Sequence, residues 1–295
     1  MTPLDHNASP DSSEPLETRI RLTVLGCGGS TGVPSIYFGW GNCDPANPRN
    51  RRSRASIMVE LVTGVGEQTI VQERVVVDTG PDFREQMLRA EVRHIDAILY
   101  THEHADHTHG IDDVRDINRT MGQPMPMWMN QATHDVLTNR FRYIFSPLDK
   151  ASSHYYKPQA QPSVAIPGET FQVGALPILP FDQDHGWIRT LGFVFGGKVA
   201  YSTDVKALDE AAFAALEGVD LWVLNSATDK EHPTHAHLDL ALEWVDRVKP
   251  KQTILTHLGT GMDYETMRQM LPAEVIPGFD GLVVEQPVQL PAQVY

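Results

Sequence analysis

The chain has 295 residues, of which 24 are Lys or Arg and 38 Asp or Glu, so its formal net charge is −14. So acidic a surface argues against nucleic acid as a general partner, while leaving room for a local basic pocket. A hydrophobic content of 41% is ordinary for a globular protein, and the length allows one large domain or two small ones.

Residues 1–18 are polar, contain proline and show no periodicity, which reads as a disordered tail ahead of one domain over residues 19–295. The tail lacks the basic, apolar and small-residue pattern of a signal peptide. No run of 18 apolar residues follows, so a cytoplasmic address without membrane contact is expected. Cys27 and Cys43 permit at most one disulfide, and the cytosol favours free thiols.

Residues 19–25 alternate as a half-buried strand and run into a loop dense in glycine, Gly26 to Pro34. No G-K-[ST] or G-x-G-x-x-G follows, which excludes a nucleotide loop of those kinds. Arg49, Arg51, Arg52 and Arg54 crowd into six residues, either as a solvated loop or as an anion-recognition loop. Strands are expected over 55–62 and 74–77, the second ending at Asp78. A helix is expected over 82–93, with Asp82 as its cap.

Residues 95–100 are a short apolar strand that ends in T-H-E-H-A-D-H-T-H-G, which gathers His102, His104, Asp106 and His107. Imidazoles and carboxylates have little packing value, and burying them unpaired is costly, so a coordinating ion is the natural reading. Zinc, iron and manganese suit that donor set. His102 and His104 share a face in an extended segment and can grip one ion, and Asp106 and His107 can reach a second. A helix over 110–120 follows, then a strand over 125–129 and a helix over 133–145. Residues 146–161 read as irregular, a lid or an interface.

Strands return over 170–173, 176–181, 190–195 and 198–202, with a helix over 210–217 and an apolar strand over 219–224. An amphipathic helix over 238–248, a short strand over 253–255, a helix over 264–270 and a strand over 282–285 close the chain. His185, Asp204 and His257 each stand at the end of one of these strands. Alone, each is an ordinary polar residue; their joint recurrence is the signal.

T-H-E-H-A-D-H resembles the His-x-His-x-Asp-His signature of the metallo-β-lactamase fold superfamily, and the later residues recur in its order. The resemblance implies an α/β fold, a four-layer αβ/βα sandwich of two pseudo-duplicated halves. It also implies two divalent transition-metal ions, zinc or manganese. His102, His104 and His185 would hold one, Asp106, His107 and His257 the other, and Asp204 would bridge both. Asp78 is expected behind a ligating histidine as its hydrogen-bond partner.

Within that superfamily the chain is most similar to PhnP-type phosphodiesterases, which act on small cyclic phosphate esters. The glycine loop, the arginine segment, S-T-D at Ser202 to Asp204 and T-H-A-H-L-D-L at Thr234 to Leu240 carry this likeness. It implies hydrolysis by a hydroxide bridging the metals, at a catalytic centre built on Asp204. His237 would be the general acid, His235 the second choice and Asp239 the group that orients the imidazole. The family's further structural zinc is not expected, because Cys43 stands alone in its region and Thr260 occupies the histidine position. Arg51, Arg52, Arg54 or Arg115 is expected on a non-reacting phosphate. The seven ligands also fit RNA processing of the RNase Z type, which net charge −14 opposes. A PqqB-like metal and small-molecule binder is the non-enzymatic alternative. A homodimer is compatible with the sequence.

Overall fold

The structure, a computed structural model, describes residues 17–64, 66–148 and 155–290. Its first half contains β1 (Thr18–Gly26), β2 (Ser56–Thr63), β3 (Ile70–Val77), α1 (Phe83–Arg89), β4 (Ala97–Leu99) and α2 (Ala105–Thr108). It continues with α3 (Val114–Met121), β5 (Met125–Met129), α4 (Gln131–Arg140), α5 (Arg142–Phe145) and β6 (Ala160–Val164). The second half contains β7 (Phe171–Val173), β8 (Leu176–Asp184), β9 (Arg189–Phe195), β10 (Val199–Ser202), α6 (Glu210–Ala215) and β11 (Leu221–Asn225). Then come α7 (Leu238–Val248), β12 (Gln252–Thr256), α8 (Tyr264–Met270), β13 (Val275–Pro277) and β14 (Val283–Pro287).

Strands buried on both faces dictate the layering. Val75 and Val77 of β3 join Phe193, Val223 and Ile254 in a core between two sheets, while Val76 faces a second core with Phe83, Ile98 and Val114. Trp222 and Leu224 of β11 pack instead against Ala241, Trp244 and Val245 of α7. Alternate residues of one strand therefore serve different layers, giving helix, sheet, sheet, helix. The sheets have seven strands each, ordered β14-β1-β2-β3-β4-β5-β6 and β13-β12-β11-β10-β9-β8-β7. Each runs antiparallel and then parallel, with the change at β3 in one and β10 in the other. The expected duplicated sandwich is what forms. Carboxyl ends of the parallel strands converge on one edge, the usual place for a site in such sheets.

Several local expectations change. Residues 1–16 of the expected tail lie outside the described residues, and Thr18 already pairs with Thr63 in β1–β2. The helix over 133–145 is broken at Phe141, and residues 111–113 form a 3-10 turn ahead of α3. Two short strands were not anticipated, β6 and β13. Each contains a proline, Pro162 or Pro277, and each ends its sheet, where a missing N–H is tolerated. Of the irregular stretch 146–161, residues 149–154 lie outside the described residues, and 160–161 belong to β6. Cys27 and Cys43 are free and buried. No helix among the described residues is long and apolar enough to cross a membrane.

Candidate metal centre

Four strands end at one edge with polar side chains: β3 at Asp78, β4 at Thr101 and His102, β10 at Asp204 and β12 at His257. Asp78, Asp204 and His257 have φ of 65°, 49° and 60°, a left-handed conformation that non-glycine residues avoid. Such strain persists where surrounding contacts over-determine it. The Asp78-Thr79-Gly80 turn has a steric cause as well. A Cβ on Gly80 would collide with the Asp106 carbonyl, so only glycine lets the turn pack beneath the ligand loop.

Two groups of donor atoms share one carboxylate: His102, His104, His185 and Asp204, and Asp106, His107, His257 and Asp204. Asp204 Oδ2 lies 3.8 Å from His102 Nε2 and 3.5 Å from His185 Nε2, while Oδ1 lies 3.1 Å from His107 Nε2 and 3.3 Å from His257 Nε2. Asp106 Oδ2 adds contacts of 3.2 Å to His107 Nε2 and 3.8 Å to His257 Nε2. Donors about 2.1 Å from a tetrahedral zinc lie about 3.4 Å apart, so this spacing fits an ion in each group.

Hydrogen bonds behind the ring set the tautomer of three of the histidines. Asp78 Oδ2 accepts from His107 Nδ1 at 2.7 Å, and the Thr234 carbonyl accepts from His185 Nδ1 at 2.7 Å. Thr101 gives its hydroxyl hydrogen to Asp78, so its oxygen accepts from His102 Nδ1 at 2.9 Å. Each ring therefore turns an unprotonated Nε2 toward Asp204. His102 Nε2, His107 Nε2 and His257 Nε2 are buried and have no hydrogen-bond partner. Buried lone pairs aimed at one another are costly unless a cation lies between them.

Electrostatics agree. Burial opposes ionisation of Asp204, yet the imidazoles of His257, His107 and His102 hold its carboxyl well below the usual range. Burial would also lower His107, but Asp204, Asp106 and Asp78 raise it well above its ordinary value. Three carboxylates thus create a demand for positive charge at that point. His102 and His185 are lowered, chiefly by burial. The residues fit a bound metal.

The expected acid, His237, is not in this cluster. It caps α7 without a side-chain capping bond, and among the described residues no ring contact or hydrogen bond ties it to the ligands. His235 is there instead. Its ring stacks on His257 at 4.6 Å and meets His185 at 4.7 Å, with Nδ1 3.9 Å from Asp204 Oδ2. Burial, helped by His257, pushes its pKa down to about 3. Asp239 is exposed and orients neither ring; Asn225, which sequence reasoning missed, orients His235. The Asn225 amide is fixed, with Oδ1 accepting from Asp204 N and Nδ2 donating to the Ala236 carbonyl. Oδ1 therefore also accepts from His235 Nδ1, at 3.2 Å, which leaves Nε2 as the free atom. A polar residue closing the apolar run L-W-V-L-N was the only signal for Asn225.

The arginines divide. Arg115 is half-buried beside Asp113 and Tyr143, whose hydroxyl donates to Asp112. Arg54 pairs with Asp82 at 3.0 Å, Arg52 is 2% exposed, and Arg51 is exposed. None belongs to the ligand groups.

A family model described as a β-lactamase superfamily domain matches residues 73–258. Among solved structures, one described as a new diphosphatase from the PhnP family is 35% identical, with a TM-score of 0.78 and coverage of 92% of this chain and 99% of that one. Zinc-bound PqqB from Methylobacterium extorquens, at 17% identity, 90% and 99% coverage and a TM-score of 0.66, is similar in fold. So is the short form of human tRNase Z, at 15% identity, 92% and 99% coverage and a TM-score of 0.61. A curated protein named octanoyltransferase, from Porphyromonas gingivalis, is 29% identical over 265 residues, 89% of this chain and 51% of that protein. The chain spans about half the length of that relative.

Proposed function

This chain belongs to the β-lactamase superfamily of metal-dependent hydrolases, and from that premise we propose that it hydrolyses small phosphoric esters or anhydrides at a centre of two divalent ions. One observation carries the reading: a single buried carboxylate, Asp204, presents one oxygen to each of two donor groups. His102, His104 and His185 would hold one ion and Asp106, His107 and His257 the other, zinc or manganese by donor chemistry. Bound there, the ions would supply Lewis-acid charge that acidifies a water and stabilises phosphoryl oxygens.

The protein's own residues do the rest. Asp78, Thr101 and the Thr234 carbonyl keep three imidazoles in the tautomer that offers Nε2, so the donor set needs no rearrangement. His235, held at Nδ1 by Asn225, offers an unprotonated Nε2 that can take a proton from the attacking water and pass it on to the departing oxygen. His235 is preferred to His237 for this role because its ring packs against His185 and His257, contacts that His237 does not make among the described residues.

The likeness to a protein described as a PhnP-family diphosphatase supports phosphoanhydrides beside diesters as substrates. Net charge −14 favours a small substrate over RNA. Turnover of bis(p-nitrophenyl) phosphate by metal-loaded protein, lost in Asp204→Ala, is the expected result. Metal-loaded protein that binds phosphate but turns over neither a diester nor a diphosphate would leave a binding protein in its place.

A further inference from the structure

The turn over residues 232–235 lies against the turn that carries His185. A Cβ on Gly186, whose φ is 85°, would come within 3.0 Å of Thr234 Cγ2 and 3.1 Å of the Pro233 carbonyl oxygen. The Thr234 carbonyl in turn accepts from His185 Nδ1 at 2.7 Å. The turn is thereby fixed to a ligand, and it sets two imidazoles side by side: the rings of His232 and His235 lie 5.0 Å apart, tilted by 50°.

These two rings hold opposite tautomers. His235 donates from Nδ1 to Asn225 Oδ1, which leaves its Nε2 without a hydrogen. His232 Nδ1 instead accepts from the backbone N–H of Thr234, at 3.3 Å. A backbone N–H can only donate, so this Nδ1 is bare and the neutral ring carries its one proton on Nε2. That Nε2–H has no partner among the described residues, and the side chain is exposed. Among the described residues the His232 ring meets His235 and no ligand imidazole, whereas His235 itself meets His185 and His257. His232 therefore stands one ring farther out than His235, and a donor so placed meets what is bonded beyond the reacting phosphorus. Asp229 and Glu231 are exposed on the same turn beside Lys230, so the turn as a whole offers an anion no net attraction. What His232 supplies is one directed donor, which is strongest on a charged oxygen.

We infer that His232 is a substrate-binding residue whose Nε2–H donates to an oxygen of the second phosphate of a diphosphate, the first phosphate lying at the metal centre. The place of the first phosphate rests on the hydrolase reading; the donor does not.

Equilibrium dialysis of metal-loaded protein against methylenediphosphonate, whose P–C–P link resists hydrolysis, and against inorganic phosphate tests this without turnover, with bound metal checked at equal content. His232→Ala should bind methylenediphosphonate about 10–100-fold more weakly than wild type and bind inorganic phosphate equally well. His232→Gln, which puts an amide N–H at a similar reach, should keep most of the wild-type affinity. Unchanged methylenediphosphonate affinity in His232→Ala overturns the inference. So does an equal fall for both probes, which would place the effect on Thr234 and the His185 it holds, and so does a loss in His232→Gln as large as in His232→Ala. Wild type that shows the expected binding pattern but hydrolyses neither a diester nor a diphosphate would remove the hydrolase reading and leave the His232 contact standing.

Discussion

Replacing His235 with alanine separates proton transfer from metal binding. The ring is not a member of either ligand group, so metal content should stay at the wild-type level. Its one hydrogen bond, 3.2 Å to Asn225, is long and neutral, and its loss should cost about 1 kcal/mol of stability, well short of unfolding the chain. Loss of this proton carrier should cost about 10²–10⁴-fold in kcat, or about 3–5 kcal/mol of transition-state stabilisation. The assay compares p-nitrophenyl and alkyl diesters under saturating metal. An alkoxide leaves only with a proton and should suffer the full loss; p-nitrophenolate leaves without one and should suffer little. His237→Ala, which removes a cap that makes no capping bond, should leave both rates near wild type. Equal losses for both leaving groups in His235→Ala, or a larger loss in His237→Ala, would refute the assignment.

Three other perturbations probe the scaffold. Asp78→Ala removes the carboxylate that holds His107 Nδ1 and Thr101, and metal affinity should fall about 10–100-fold by competition with a chelator; unchanged affinity would remove Asp78 from the account. Gly80→Ala should displace the Asp106 carbonyl and lower metal occupancy, whereas full occupancy would mean the ligand loop yields freely. Asp263 caps α8, and although partial burial opposes it, hydrogen bonds from Thr266, Asp44 and Asn50 hold its pKa down to about 2. A depressed carboxylate stabilises the fold above its unfolded pKa of about 3.9, and that share is lost as pH falls through about 2. After allowance for solvent screening, the difference in urea unfolding free energy between wild type and Asp263→Asn should shrink by about 1 kcal/mol from pH 5 to pH 2. A difference that stays constant across that range would contradict the assignment.

The ligand set was legible because its chemistry needs rare residue types at places where packing needs none. Apolar runs end in His102, Asp204 and His257, and no core argument explains them. His235 and His237 were not separable. In an extended T-H-A-H segment both share a face, and only the folded contacts show the His235 ring against His185 and His257. The four arginines were inseparable for a similar reason. A run of four reads as a solvated face or an anion loop, and nothing in it reveals that Arg52 alone is buried. β6 and β13 were hidden by prolines that only an edge strand accepts.

The central claim is that Asp204 joins two ions, and anomalous diffraction from crystals of metal-loaded protein tests it most directly. Two peaks about 3.5–4 Å apart are expected, one beside His102 and His185 and the other beside His107 and His257, with an Asp204 oxygen on each. A single peak after full metal loading, or two peaks that Asp204 does not join, would contradict it.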